Sequence, residues 1–259
     1  MSLLKLEPRF VERVWGTKVL EPWFPNSTKI IGEVWFETPD IPILVKFLFT
    51  TDKLSVQVHP EDEYAAQHHN GSPGKTEMWH ILAAEPGATI SAGFRENISP
   101  ERAKQAALTG EIESLLATHD ARPGDTFFIN ARTVHAIGAG ITLCEIQQQS
   151  DVTYRLFDYE RMGLDGKPRE LHLDHGFTVS RLEPADVRTS LPVRCRYFVT
   201  ERFKNDSVAN CEQLLIAIGG SGKINQLPAC AGDVFTSKAG TPLCIEGDIE
   251  FLRTYVPRT

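Results

Sequence analysis

The sequence predicts a mainly β protein, built as two jelly-roll or barrel-like β units with one short helical insertion. Three observations lead there. Short runs of β-branched and aromatic residues recur along the chain, each closed by Gly, Pro, Asn or Asp. The tetrad Gly124-Asp125-Thr126-Phe127 returns as Gly232-Asp233-Val234-Phe235, each time before a small-residue loop and another strand. Helical signals concentrate in residues 99–119. The expected organisation is a first β domain over 1–160, with that insertion, a connection over 161–193 and a second β domain over 194–259. At 259 residues the chain is long enough for such an arrangement.

Taken in order, Ile30 to Phe36 and Ile43 to Phe49 read as strands, the second apolar on both faces and hence buried. Ser55-Val56-Gln57-Val58-His59 alternates polar and apolar residues. Ser55, Gln57 and His59 therefore share one face, and Pro60 ends the strand at a rim. A charged loop closes on Gly71-Ser72-Pro73-Gly74, and Lys75 to Leu82 resumes as a strand with Glu77 and Trp79 on one face. Ser99 caps a helix that has Pro100 at its first position. Pro123-Gly124-Asp125 marks a turn into the strand Thr126 to Ile129, after which His135 comes back toward the same end. Ile141 to Gln149 and Asp151 to Phe157 are extended. Residues 161–192, rich in Gly and Pro, form an irregular connection, and short strands return from Tyr197 to the end.

Composition excludes several classes. The net charge of -7 leaves no basic footprint for nucleic acid. No apolar run is long enough to span a membrane. Five cysteines without a C-x-x-C pair, and a beginning without a signal-peptide pattern, point to reduced thiols in the cytoplasm.

If the two central strands pair, Gln57, His59 and Glu77 converge. An amide oxygen, an imidazole and a carboxylate suit zinc or another divalent first-row metal. A lone strand histidine is usually structural. Here, however, His59 sits at a rim, Glu77 is a carboxylate on an apolar strand, and His135 follows a turn, a strand and a loop. His68, His69, His80, His172 and His175 are read as solvated or facing away. Lys46, inside an apolar strand, needs a partner or a pocket.

Together these elements resemble the cupin metal pattern, with Gln57 where the first histidine of H-x-H would stand. LSVQVHPEDEYA, GKTEMWHIL and CEIQQQSDVTYRLFDYER narrow the resemblance to the zinc-dependent type I mannose-6-phosphate isomerases, over most of residues 10–160. The resemblance implies two cupin-like jelly-roll units in a minimal, bacterial-type version, since only residues 99–119 could represent the family's large helical domain. It implies one zinc per chain on Gln57, His59, Glu77 and His135. It places Arg155 at the active site, Lys75 and Ser55 near the substrate and Glu145 in the pocket. It also implies a sugar phosphate as the small-molecule partner. The catalytic base stays open between Glu145, Lys75 and a metal-bound hydroxide. A cupin oxygenase is disfavoured by Gln57, because two histidines and a carboxylate suffice for iron. A sugar-binding cupin without turnover has no need of Lys75, Glu145 and Arg155 together.

The second half is expected to hold no metal. Ten residues after Asp233, where the first half has His135, stands Leu243, and residues 194–259 contain no histidine. Leu214, Ile216, Ile218, Val234, Phe235 and Leu243 are expected to fill its interior.

Overall fold

The computed structural model describes residues 3–203 and 207–257. Among these the chain is mainly β, in two units that repeat one strand order. In the first, a seven-stranded sheet runs Arg188–Thr189, Thr126–Ile129, Glu77–Ala84, Ile141–Gln148, Ile43–Thr50, Ile31–Phe36, Arg9–Thr17. Facing it is a five-stranded sheet ordered Tyr154–Phe157, Val56–Val58, His135–Ile137, Thr89–Phe94, Leu116–Asp120. In the second unit Val234–Ser237, Gln213–Ile224, Ile245–Tyr255, Val199–Phe203 and Val193–Arg194 follow one another in the same sense.

The repeat extends to individual hydrogen bonds. Gly124 and Gly232 both sit at positive φ, 90° and 94°, where glycine alone is unstrained. Asp125 Oδ2 accepts from the Arg122 N–H at 3.0 Å, as Asp233 Oδ2 does from Cys230 N–H at 3.0 Å. Gly124 N–H donates to Ile81 O and Gly232 N–H to Ala217 O, both at 2.8 Å. This alignment sets Leu243 against His135 and Gln213 against Glu77. The strand pairings agree: His135 lies opposite Gln57, and Leu243 opposite Ser207. Leu243 is buried in an apolar cluster.

Strand alternation sorts the core into layers. Trp79, Ile81, Leu143, Phe127 and Ile129 pack between the two sheets of the first unit. Val56 and Val58 point outward, where the helix Pro100–Thr109 covers them with Ala103, Ala106 and Ala107. That helix has its expected cap: Ser99 Oγ accepts from the Arg102 N–H at 3.1 Å, and the helix stops at Gly110 with φ 79°.

Four expectations need correction. The apolar residues expected to fill the second unit divide by parity. Leu214, Ile216, Ile218 and Val234 face the first unit and join Val45, Phe47 and Met78 in one core. Phe235 and Leu243, with Leu215, Ala217 and Phe251, form a separate core on the other face. Both faces of this sheet are therefore apolar. The first domain does not begin at residue 1, because Leu3–Lys5 pairs with Val234–Ser237 and extends the second unit's sheet. The connection over 161–193 is more ordered than its Gly and Pro content indicates. It contains the helix Leu173–Val179 and the strand Arg188–Thr189, which pairs with Thr126–Ile129. The insertion's last residues, 116–119, belong to the strand Leu116–Asp120, which pairs with Thr89–Phe94.

Candidate metal centre and cavity

The strand Val56–Val58 lies between Tyr154–Phe157 and His135–Ile137, with Gln57 opposite both Arg155 and His135. With Val56 and Val58 committed to the outer core, Gln57 turns inward. Glu77 opens the strand Glu77–Ala84 of the facing sheet, between Thr126–Ile129 and Ile141–Gln148. Gly74 brings the intervening loop close in: a Cβ there would lie 2.6 Å from the backbone of Glu61 and Asp62. Lys75 follows directly and is carried into the interior.

The result is a buried cluster. His59, Glu77 and His135 place ligand atoms within 4.8 Å of one another. Glu77 Oε2 lies 3.6 Å from His59 Nε2, and Oε1 lies 3.4 Å from His135 Nε2. The Gln57 amide nitrogen is 3.3 Å from His135 Nε2. Backbone carbonyls fix both ring orientations. His59 Nδ1–H donates to Val152 O at 2.9 Å, and His135 Nδ1–H donates to Thr133 O at 2.8 Å. Each ring therefore presents an Nε2 lone pair to Glu77. Burial, with the Lys75 charge, lowers His59 below its ordinary value. Burial, with His59 nearby, pushes His135 down to about 3. Both rings are neutral at pH 7.

Burial works against ionising Glu77, but the Lys75 ammonium overrules it and holds the carboxyl well below the usual range. Glu77 Oε1 is buried with no hydrogen-bond partner among the described residues. This unpartnered oxygen faces the His135 Nε2 lone pair at 3.4 Å, a contact that is repulsive unless a cation lies beside it. The cluster fits a metal cofactor on these grounds.

Lys75 donates to Glu77 Oε2 and, at 3.1 Å, to the His59 Nε2 lone pair. Burial lowers its pKa, but Glu145 and Glu77 outweigh that and leave it above the ordinary lysine value. Glu145 accepts from Trp79 Nε1–H at 2.9 Å and lies 3.7 Å from Lys46 Nζ and 3.8 Å from Lys75 Nζ. Burial, then the Glu77 charge, raises it to about 7. Lys46 resolves its anomaly through partners: Asp151 at 3.1 Å, Glu145, and the Trp35 ring at 4.0 Å.

A cavity of about 550 Å³ opens from this cluster, lined at its inner end by Ser55, Gln57, Lys75 and Glu145. Arg155 lines it too, on the strand beside Gln57. Its Nη1 donates to Glu170 O at 2.9 Å, and it makes no ion pair with Asp151 or Asp158. His172 pins the Arg155 backbone, accepting from its N–H at 3.1 Å and donating its own N–H to Arg155 O at 2.7 Å. Sequence reasoning missed that support, because His172 lies seventeen positions further on, in a stretch that reads as irregular. It also missed Arg13, Glu33, Asp151 and Arg169, which line the same cavity from distant segments. His80 faces away from the cluster, 3.0 Å from Thr126 Oγ1.

No family model matches the chain. Mannose-6-phosphate isomerase ManA of Bacillus subtilis is 38% identical over 274 aligned positions, covering 85% of this chain and 87% of that relative. Mannose-6-phosphate isomerase of Streptococcus mutans is 34% identical over 199, covering 71% of this chain and 62% of that protein. The crystal structure of the mannose 6-phosphate isomerase from Bacillus subtilis has a TM-score of 0.89 at 26% identity, covering 99% of this chain and 100% of that one. A crystal structure of mannose 6-phosphate isomerase bound with zinc and yttrium shares the fold, with a TM-score of 0.79 at 16% identity and complete coverage of both chains. Among the described residues no helix is long and apolar enough to cross a membrane.

Proposed function

The chain belongs to the mannose-6-phosphate isomerase family, and on that premise we propose that Gln57, His59, Glu77 and His135 hold one zinc ion in an aldose–ketose isomerase acting on mannose 6-phosphate and fructose 6-phosphate. The observation that carries this reading is the buried cluster of two oriented imidazoles and an unpartnered carboxylate oxygen at the closed end of a sugar-sized cavity. Gln57 suits a ligand role after its amide turns by 180°. That turn directs Oε1 to the imidazoles and lets the amide N–H donate to Ser55 Oγ, now 3.3 Å from the amide. When bound, the cation supplies Lewis acidity to the oxygens on carbon 1 and carbon 2.

The protein's own groups divide the remaining work. Lys75 is a permanent ammonium, held by Glu77 and Glu145, so it serves as a fixed positive charge and not as the base. Glu145, raised to about 7, exchanges a proton near neutrality. Its carboxylate takes the proton from carbon 2, and the freed electron pair forms the carbon 1–carbon 2 double bond of an enediol. Oxygen 1 gains a proton and oxygen 2 gives one up, and return of the carbon-bound proton to carbon 1 yields the ketose. Arg155 stabilises negative charge on the substrate oxygens. Ser55 lines the sugar's inner end.

A cytoplasmic setting belongs to the same proposal, supported by an odd number of cysteines with no C-x-x-C pair. The test is a coupled assay of mannose 6-phosphate conversion by zinc-loaded protein. Steady formation of fructose 6-phosphate is expected. No conversion by folded, zinc-loaded protein would return the chain to a sugar-binding role.

A further inference from the structure

We propose that Arg13 and Arg169, which line the cavity together with Arg155, form its phosphate-recognising end. The inference deepens the isomerase reading and rests on it. The sugar's reacting carbons belong at the inner end, beside Gln57, Lys75 and Glu145. The cations there are already committed. Lys75 is 3% exposed and bound to Glu77, and Lys46 is 2% exposed and held by Asp151 and Glu145. With Glu77 given to the cation, Lys75 still stands 3.8 Å from the buried Glu145, so neither lysine can turn to a phosphate without weakening a buried carboxylate's pairing.

Arg13, Arg155 and Arg169 line the same cavity from three separate segments. Arg169 Nε lies 2.9 Å from Asp158 Oδ2, and its two Nη groups have no partner among the described residues. Asp158 is shared, since Arg161 approaches its other oxygen at 2.8 Å. Arg155 spends Nη1 on Glu170 O and keeps Nη2 open. Arg13 gives Nη2 to Glu33 at 2.9 Å, on the face where Trp35 Nε1–H also bonds that carboxylate. Three cations in one another's field are only partly neutralised. Burial and the neighbouring guanidinium charges push Arg169 down to about 10, and Arg155 is lowered for the same reasons.

The carboxylates of this region only partly offset these cations. Glu12 pairs with Lys29, Glu33 with Arg13, and Asp165 accepts from the Lys167 N–H. A phosphate dianion relieves the repulsion among the arginines, and the planar forks match its oxygens in pairs. The same clamp distinguishes a sugar phosphate from the free sugar.

The test is calorimetric titration of zinc-loaded protein with inorganic phosphate, together with kcat/KM for mannose 6-phosphate and for mannose. Arg169→Gln, and separately Arg13→Gln, should weaken phosphate binding by about 10- to 100-fold. The preference for the phosphorylated sugar should fall by a similar factor. Arg169→Lys should recover part of the loss. Asp158→Asn, which removes the ion pair but leaves the guanidinium, should retain most of the phosphate affinity. Wild-type affinity in the Arg13/Arg169 double variant would overturn the proposal and put the phosphate on the metal cluster. Equal losses of kcat/KM for both sugars, or a loss in Asp158→Asn matching that in Arg169→Gln, would reduce Arg169 to a structural role. Weakened phosphate binding in the variants of a protein that isomerises neither sugar would uphold the clamp and refute the isomerase reading.

Discussion

Glu145 offers the sharpest test of how burial sets chemistry in this cavity. Glu145→Gln keeps the side chain's shape and leaves an oxygen to accept from Trp79 Nε1–H, now 2.9 Å away. It removes the exchangeable proton. Loss of a general acid–base group lowers turnover by about 10² to 10⁴-fold, or roughly 3–5 kcal/mol of barrier. The carboxyl titrates at about 7, so wild-type turnover should fall as pH drops below 7, and the residual rate of the variant should lack that limb. Stability moves the other way. The unfolded chain releases this proton near pH 4.5, whereas the folded protein holds it to about 7. The wild type therefore loses stability as pH rises through that window and carries the full penalty above it. At pH 8 the variant should be more stable by about 3 kcal/mol. Steady-state rates from pH 5 to 9 and urea unfolding at pH 8 provide both readouts. Near-normal turnover in Glu145→Gln, or an unchanged acid limb, would refute Glu145 as the proton carrier.

Arg155→Ala should lower kcat by about 10² to 10³-fold while zinc content and melting temperature stay near normal, because the side chain serves the substrate and not the fold; a near-normal kcat would contradict this. A neutral amide is a weaker zinc donor than imidazole, so Gln57→Ala should weaken zinc affinity less than His59→Ala, as competition with a chromophoric chelator will show; an equal or larger loss in Gln57→Ala contradicts the ranking. His80 is buried against Thr126 and pushed down to about 4 by burial and by Arg202. Between pH 6.5 and 4 only the unfolded chain gains this proton, so wild-type stability falls with falling pH. His80→Gln should remove about 2 kcal/mol of the loss between pH 7.5 and pH 5, measured by urea unfolding; identical pH slopes would count against it.

The sequence disclosed what depends on local pattern. Alternation around Gln57, the proline after His59 and the turn at Gly124 each act within a few residues, and the strand faces follow from them. The match of Gly124-Asp125 with Gly232-Asp233 was legible because one turn geometry demands glycine at positive φ and an aspartate to accept the preceding N–H. What stayed hidden depends on pairing across distance. Leu3–Lys5 gives no sign that its partner lies more than two hundred residues away. The two apolar faces of Gln213–Ile224 cannot be assigned to different cores without knowing that the first unit packs on one of them. Arg13 and Arg169 lie outside any motif, and only the folded cavity brings them beside Arg155.

The central claim is that one metal, held by Gln57, His59, Glu77 and His135, makes this chain an isomerase. The most direct measurement is turnover of mannose 6-phosphate as zinc is added back to chelated protein, with bound zinc counted by elemental analysis at each step. Turnover should rise in proportion to bound zinc and level off at about one ion per chain, the count for a single closed ligand set. Full turnover in protein stripped of zinc, or a plateau reached only at two ions per chain, would contradict it.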